Sequence, residues 1–129
     1  VKHALVVCGN GELDEVSLWG ATTVFEVRAG QVTRTEWTPE MLGLATCRVE
    51  DLRVDSPSES AAVIRRVLAG EPGPARDIVL ANTAAALLAA DAVASPREGV
   101  ARAAMALDEG RAQRLLETFV ARTQSLAAG

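Results

Sequence analysis

Apolar positions fall in two regimes along this chain: short strand-like runs in the front half and helical stripes in the back half. Ala4-Leu5-Val6-Val7 is a short continuous apolar run, the pattern of a strand buried on both faces, as in a parallel sheet. A parallel strand needs a crossover before it, so the chain reads as the C-terminal piece of a longer protein. Thr22-Thr23-Val24-Phe25-Glu26-Val27 has strong strand propensity, and Gln31 to Trp37 alternates apolar or Thr positions with polar ones. With Ala29-Gly30 as the turn, the two segments predict an antiparallel hairpin. Thr38-Pro39-Glu40-Met41 predicts a short helical turn with Thr38 as cap and Pro39 at the first helical position, closed by Gly43.

From Ser56 onward the period changes to that of helices. Ser56-Pro57-Ser58-Glu59 and Ser95-Pro96-Arg97-Glu98 each match a capping box. The first opens a helix with Ala62, Val63, Ile64, Val67 and Leu68 as its apolar positions, stopped by Gly70. Glu71-Pro72-Gly73-Pro74 is a turn. A second helix is predicted from about 75 to 91, apolar nearly all round between Ile78 and Ala90 except at Asn82 and Thr83, and therefore buried on most sides. The second box opens a third helix that ends at Gly110. A fourth spans about 111 to 126, with Leu115, Leu116, Phe119 and Val120 expected on its inner face. The order of elements predicts an α/β fold: a mixed sheet with a buried parallel-type strand and a β-hairpin, flanked by about four C-terminal helices.

Composition narrows the function classes. A chain of 129 residues, 49% hydrophobic, can build a real core. With 3% aromatics and no Tyr, that core rests on Ala, Val and Leu. Thirteen basic against 17 acidic residues leave a net charge of −4, which speaks against non-specific binding to nucleic acid or an anionic membrane. No apolar run reaches the roughly 18–20 residues that span a bilayer, and no signal-peptide pattern is present. Cys8 and Cys47 form neither a disulfide framework nor a CxxC pair, so the default expectation is a reduced, cytoplasmic protein.

The chemistry concentrates in Cys8-Gly9-Asn10-Gly11-Glu12-Leu13-Asp14-Glu15-Val16-Ser17-Leu18. An apolar strand runs into glycines, then into two adjacent carboxylates, then into a second apolar run. Hard cations such as Mg²⁺ take carboxylate oxygens and keep open positions for phosphate. In a regular strand Asp14 and Glu15 would point to opposite faces, whereas a mobile, Gly-rich turn can bring both towards one ion. Taken alone, the pair reads first as a solvated acidic turn.

The same segment resembles the C-terminal part of the anthranilate phosphoribosyltransferase family. The resemblance continues through the hairpin, through Thr38-Pro39-Glu40-Met41-Leu42-Gly43-Leu44 and Val67-Leu68-Ala69-Gly70, and through Arg76 to Leu87 and Arg97-Glu98-Gly99-Val100, in the family's order and spacing. It implies that residues 1–129 are the C-terminal portion of the α/β catalytic domain, part of the phosphoribosyltransferase/nucleoside phosphorylase-like large domain. It also implies a reaction: transfer of phosphoribosyl from phosphoribosyl pyrophosphate to the amino nitrogen of anthranilate, in tryptophan biosynthesis. By that resemblance Asp14 and Glu15 bind the Mg²⁺ that holds the pyrophosphate. The family's diphosphate-binding loop, anthranilate-binding residues and most of its homodimer contact precede this segment, so the chain alone is expected to be inactive. A related nucleoside phosphorylase-like enzyme and a non-catalytic binding module of the same fold are the alternatives.

Two positions depart from the family. Cys8 stands where the family commonly has His and reads first as a simply packed residue. Trp19 stands where a small or polar residue is frequent and is expected to pack under the hairpin. His3, without a triad or metal constellation, reads as structural. Asn82 reads as a buried amide that must find hydrogen-bond partners. Arg65, Arg66, Arg111 and Arg114 read as solvated helix faces.

Overall fold

The computed structural model describes residues 2–127. Strands β1 (His3–Gly9), β2 (Thr22–Arg28) and β3 (Gln31–Trp37) form one sheet in the order β1-β2-β3. Five helices follow: α1 (Pro39–Leu42), α2 (Pro57–Leu68), α3 (Pro74–Ala89), α4 (Pro96–Asp108) and α5 (Arg111–Ala127), with a 3₁₀ turn at Val49–Leu52 between α1 and α2. The fold is α/β, as the pattern predicts.

The hairpin forms at the expected residues. Arg28 pairs with Gln31 across Ala29 and Gly30, which stand at φ 50 and 79. Two consecutive positive φ values make a type I′ turn, whose twist matches that of the flanking strands. The serine caps also form, although the reciprocal half of each capping box is shifted by one residue. Ser56 Oγ accepts the Glu59 N–H at 3.1 Å and Ser95 Oγ accepts the Glu98 N–H at 3.2 Å, each a contribution of about 1 kcal/mol. The two glutamates reach back to the residues before the caps, accepting from Asp55 N and Ala94 N at 2.8 Å each.

β1 corrects one expectation. Every strand pairing among the described residues is antiparallel, including β1 with β2, so the sheet of these residues is not mixed and no parallel partner of β1 lies among them. Nor is β1 buried on both faces. Leu5 and Val7 pack towards the core, while Val6 on the other face is 61% exposed. On the same face Phe25 and Val32 are also exposed, so that face is open and apolar, while the opposite face is covered over β1 and β2 and, on β3, only at Trp37.

The covered face meets the helices. The core joins Val24 and Trp37 of the sheet, Leu42 of α1, Val67 of α2, Leu80, Ala81 and Ala84 of α3, and Val100, Ala103 and Leu107 of α4. Small residues let α3 and α4 approach closely: a Cβ on Gly99 would meet Ala84 Cα and Cβ at 2.8 Å. The fourth helix differs from expectation. Leu115, Phe119 and Val120 of α5 are exposed, and none of its described residues is buried.

His3 has the structural place expected of it. Its Nε2 lies 2.8 Å from Glu26 of β2, its Nδ1 lies 3.0 Å from Asp91 in the turn after α3, and Arg28 reaches Asp91 at 2.7 Å. This cluster pins the start of β1 to the far end of α3, which sets how α3 lies along the strand.

Candidate metal-binding loop

The loop from Asn10 to Ala21 leaves β1 through a tight reversal. Asn10 and Gly11 take φ 50 and 74. Gly9 N donates to Leu13 O at 2.8 Å, Leu13 N returns to Gly9 O at 2.9 Å, and Asn10 N donates to Ala21 O at 2.8 Å. The loop is thus closed across its own base. Asn10 packs against Gly20, leaving no space for a Cβ there. Glu12 accepts from Asn10 Nδ2 at 3.2 Å and from the Trp19 indole N–H at 3.3 Å. Trp19 itself is half-buried. It ties one arm of the loop to the other through Glu12.

Asp14 and Glu15 follow, both exposed. Unlike Glu12, neither carboxylate makes a hydrogen bond or ion pair among the described residues. Immediately after them the chain enters the core: Val16 and Leu18 are fully buried and Ser17 is 1% exposed. Burying two such aliphatic side chains stabilises the loop by about 1.5–3 kcal/mol each. No buried side-chain nitrogen or oxygen among the described residues lacks a partner. Ser17 N donates to Thr22 Oγ1 at 2.9 Å, Trp19 N to Ser17 Oγ at 3.1 Å, and Cys47 N to Leu18 O at 3.0 Å. Asn82 of α3 accepts the Val16 N–H at 2.8 Å and donates to Val16 O at 3.2 Å and Ile78 O at 3.0 Å. The pair is carried by an anchored loop, not by the mobile turn expected from its glycines.

Two free carboxylates on a fixed backbone are a partial set of hard oxygen donors. Among the described residues no three His, Cys, Asp or Glu side chains converge as a metal site. Mg²⁺ suits such a set, because it is commonly held by one or two carboxylates, with water and substrate phosphate completing an octahedron. The residues present fit that ion as part of a coordination shell.

Comparison with known proteins identifies the family. A family model described as "Glycosyl transferase family, a/b domain" matches residues 1–113. The chain belongs to this family. Within the glycosyl transferase family it is 48% identical over 128 residues to the anthranilate phosphoribosyltransferase of Paracidovorax citrulli, covering 99% of this chain and 37% of that protein. It is also 48% identical over 128 residues to that of Symbiobacterium thermophilum, covering 99% and 38%. Among solved structures it is similar to anthranilate phosphoribosyltransferase from Thermus thermophilus, with TM-score 0.83 at 41% identity over 92% of this chain and 35% of that one. The Saccharomyces cerevisiae enzyme in complex with PRPP and Mg gives TM-score 0.84 at 28% identity, over 94% and 35%. The chain spans little more than a third of the length of these relatives.

The remaining candidates fall outside the loop or support it. Cys8 is exposed on β1 rather than packed. Cys47 is half-buried, and burial pushes its thiol up, reinforced by the charges of Asp51 and Asp77. Arg65, Arg66, Arg111 and Arg114 are exposed, as a solvated helix face requires. Asn82 is the residue whose partners the sequence left undefined; they are Val16 and Ile78. A lone amide in an apolar helix signals that partners exist, but not that they lie on the loop of Asp14 and Glu15.

Proposed function

We propose that this chain is the C-terminal portion of the catalytic domain of an anthranilate phosphoribosyltransferase. In this reading the full-length protein transfers phosphoribosyl from phosphoribosyl pyrophosphate to anthranilate. What carries the proposal is the 48% identity over 99% of the chain to proteins of that name. Those relatives also favour the transferase over a nucleoside phosphorylase or a non-catalytic module. The same reading places the full-length protein in tryptophan biosynthesis, in the cytoplasm, as a homodimer.

Asp14 and Glu15 are the residues that hold Mg²⁺. Their exposure and freedom from internal partners support this role, since a carboxylate already engaged in an ion pair would have to surrender it. When bound, the ion neutralises negative charge that builds on a departing diphosphate. The chain's own contribution is to present two hard oxygen donors from a backbone that does not have to be ordered on binding, and to leave the remaining coordination positions to phosphate and water.

Replacing both Asp14 and Glu15 by Ala in the full-length protein lowers Mg²⁺-dependent turnover of anthranilate and phosphoribosyl pyrophosphate by orders of magnitude. Unchanged magnesium dependence would refute the assignment. The 129-residue chain alone gives no turnover in the same assay, and activity above background would overturn the reading of it as a partial catalytic domain.

A further inference from the structure

Asn82 stands out on α3 because its side chain serves another element. A carboxamide offers one acceptor oxygen and two N–H donors. Here the oxygen accepts the Val16 N–H at 2.8 Å, and the nitrogen donates to Val16 O at 3.2 Å and Ile78 O at 3.0 Å. The orientation of the amide follows from these partners, since a backbone N–H cannot accept and a carbonyl cannot donate. Both polar groups of Val16 are thereby fastened to α3, one residue after Glu15. From the β1 side, Gly9 meets the same stretch: a Cβ there would lie 2.6 Å from Glu15 O, 2.7 Å from Ser17 Cβ and 2.9 Å from Ser17 N. The backbone leaving the acidic pair is thus gripped by a side chain from α3 and packed directly against β1.

We propose that Asn82 is a positioning residue for the metal-binding loop: by holding both backbone groups of Val16 it fixes where the Asp14 and Glu15 carboxylates stand, and so sets the affinity for Mg²⁺. The proposal rests on the reading of that pair as the magnesium ligands. Side chains that orient metal ligands without touching the metal commonly change affinity or activity by about 10- to 100-fold when replaced. Asn82 does the same work through the main chain. Without its grip, the two carboxylates have to be ordered by the ion itself.

The test uses the full-length protein, with Mg²⁺ titrated calorimetrically in the presence of phosphoribosyl pyrophosphate. Asn82→Ala is compared with Leu107→Ala, a buried core truncation in α4 remote in sequence from the loop, and melting temperatures are recorded for both. The expected result is an affinity loss of about tenfold or more for Asn82→Ala, with Mg²⁺ affinity unchanged in Leu107→Ala despite its lower melting temperature. Equal Mg²⁺ affinity in Asn82→Ala and the parent overturns the proposal. Should Asn82→Ala fail to fold, hydrogen exchange of the Val16 amide in the unsubstituted protein decides: protection is expected, and exchange at the rate of an open loop overturns the proposal. The Asp14→Ala, Glu15→Ala variant separates the two levels. If it loses Mg²⁺ while Asn82→Ala does not, the positioning role alone fails; if it keeps the parent's affinity, the metal reading fails with it.

Discussion

Replacing Gly9 by Ala tests the close packing beneath the acidic pair. The added Cβ would stand 2.6 Å from Glu15 O, against the 3.4 Å at which ordinary contact begins, so the Glu15 peptide has to recede by about 0.8 Å. The obstructing atoms include the backbone of Glu15 and Ser17, which has no rotamer to escape into. A displacement of that size is the difference between the 2.8 Å bond from Val16 N to Asn82 and a separation of about 3.6 Å, which is no longer a hydrogen bond. If the loop holds its place, the overpacking costs about 1–3 kcal/mol. If the loop yields and the Val16 amide loses its acceptor, the cost is again about 1–3 kcal/mol. Either route destabilises the protein, and the second also moves the carboxylates. The assay is denaturant unfolding together with the Mg²⁺ concentration giving half-maximal turnover in the full-length protein. Gly9→Ala is expected to lose stability within this range and to raise the half-maximal Mg²⁺ concentration. A variant with the parent's stability and the parent's magnesium response would show that the loop does not lie against β1 as described.

Other substitutions probe the frame around the site. Ala29→Asn, at the first position of the type I′ turn, is expected to raise stability by about 1 kcal/mol, because Asn tolerates positive φ better than Ala; a fall in the denaturation midpoint would contradict the turn assignment. Burial holds the Asp77 carboxyl above its ordinary range, with Arg76 acting in the opposite sense. A folded-state value above the unfolded one means that stability is lost as pH rises through it, so Asp77→Asn is more stable than the parent at neutral pH and loses that advantage below about pH 3. An advantage independent of pH would refute the burial argument. The Cys47 thiol, raised by burial and then by Asp51 and Asp77, alkylates more slowly than exposed Cys8 at mildly alkaline pH, as peptide mass mapping over time would register; equal rates would contradict the placement of Cys47.

Local order was legible wherever a short stretch of chain carries its own instructions. Ala29-Gly30 between two alternating segments specifies a hairpin, because turn length and positive φ act within four residues. Ser56 and Ser95 announce their helices, because a cap and its partner stand three residues apart. The acidic pair was also visible, since adjacency in sequence is adjacency in space. The errors lie at longer range. Ala4 to Val7 reads as a strand covered on both faces, but an apolar run does not say which partners cover it, and among these residues Val6 remains open. Leu115, Phe119 and Val120 have helical spacing, yet spacing cannot show whether another surface meets that stripe; here they stay exposed.

By itself, then, the sequence determined the strands and helices, the turn and caps between them, and the presence of two neighbouring hard-donor carboxylates after β1. Only the tertiary structure decided that those carboxylates sit on an anchored loop. Asn82 lies 66 residues beyond Val16, and Gly9 meets Glu15 O across a reversal. Such contacts form because the burial of Val16 and Leu18 draws the loop into the core, where every backbone polar group must then find a partner.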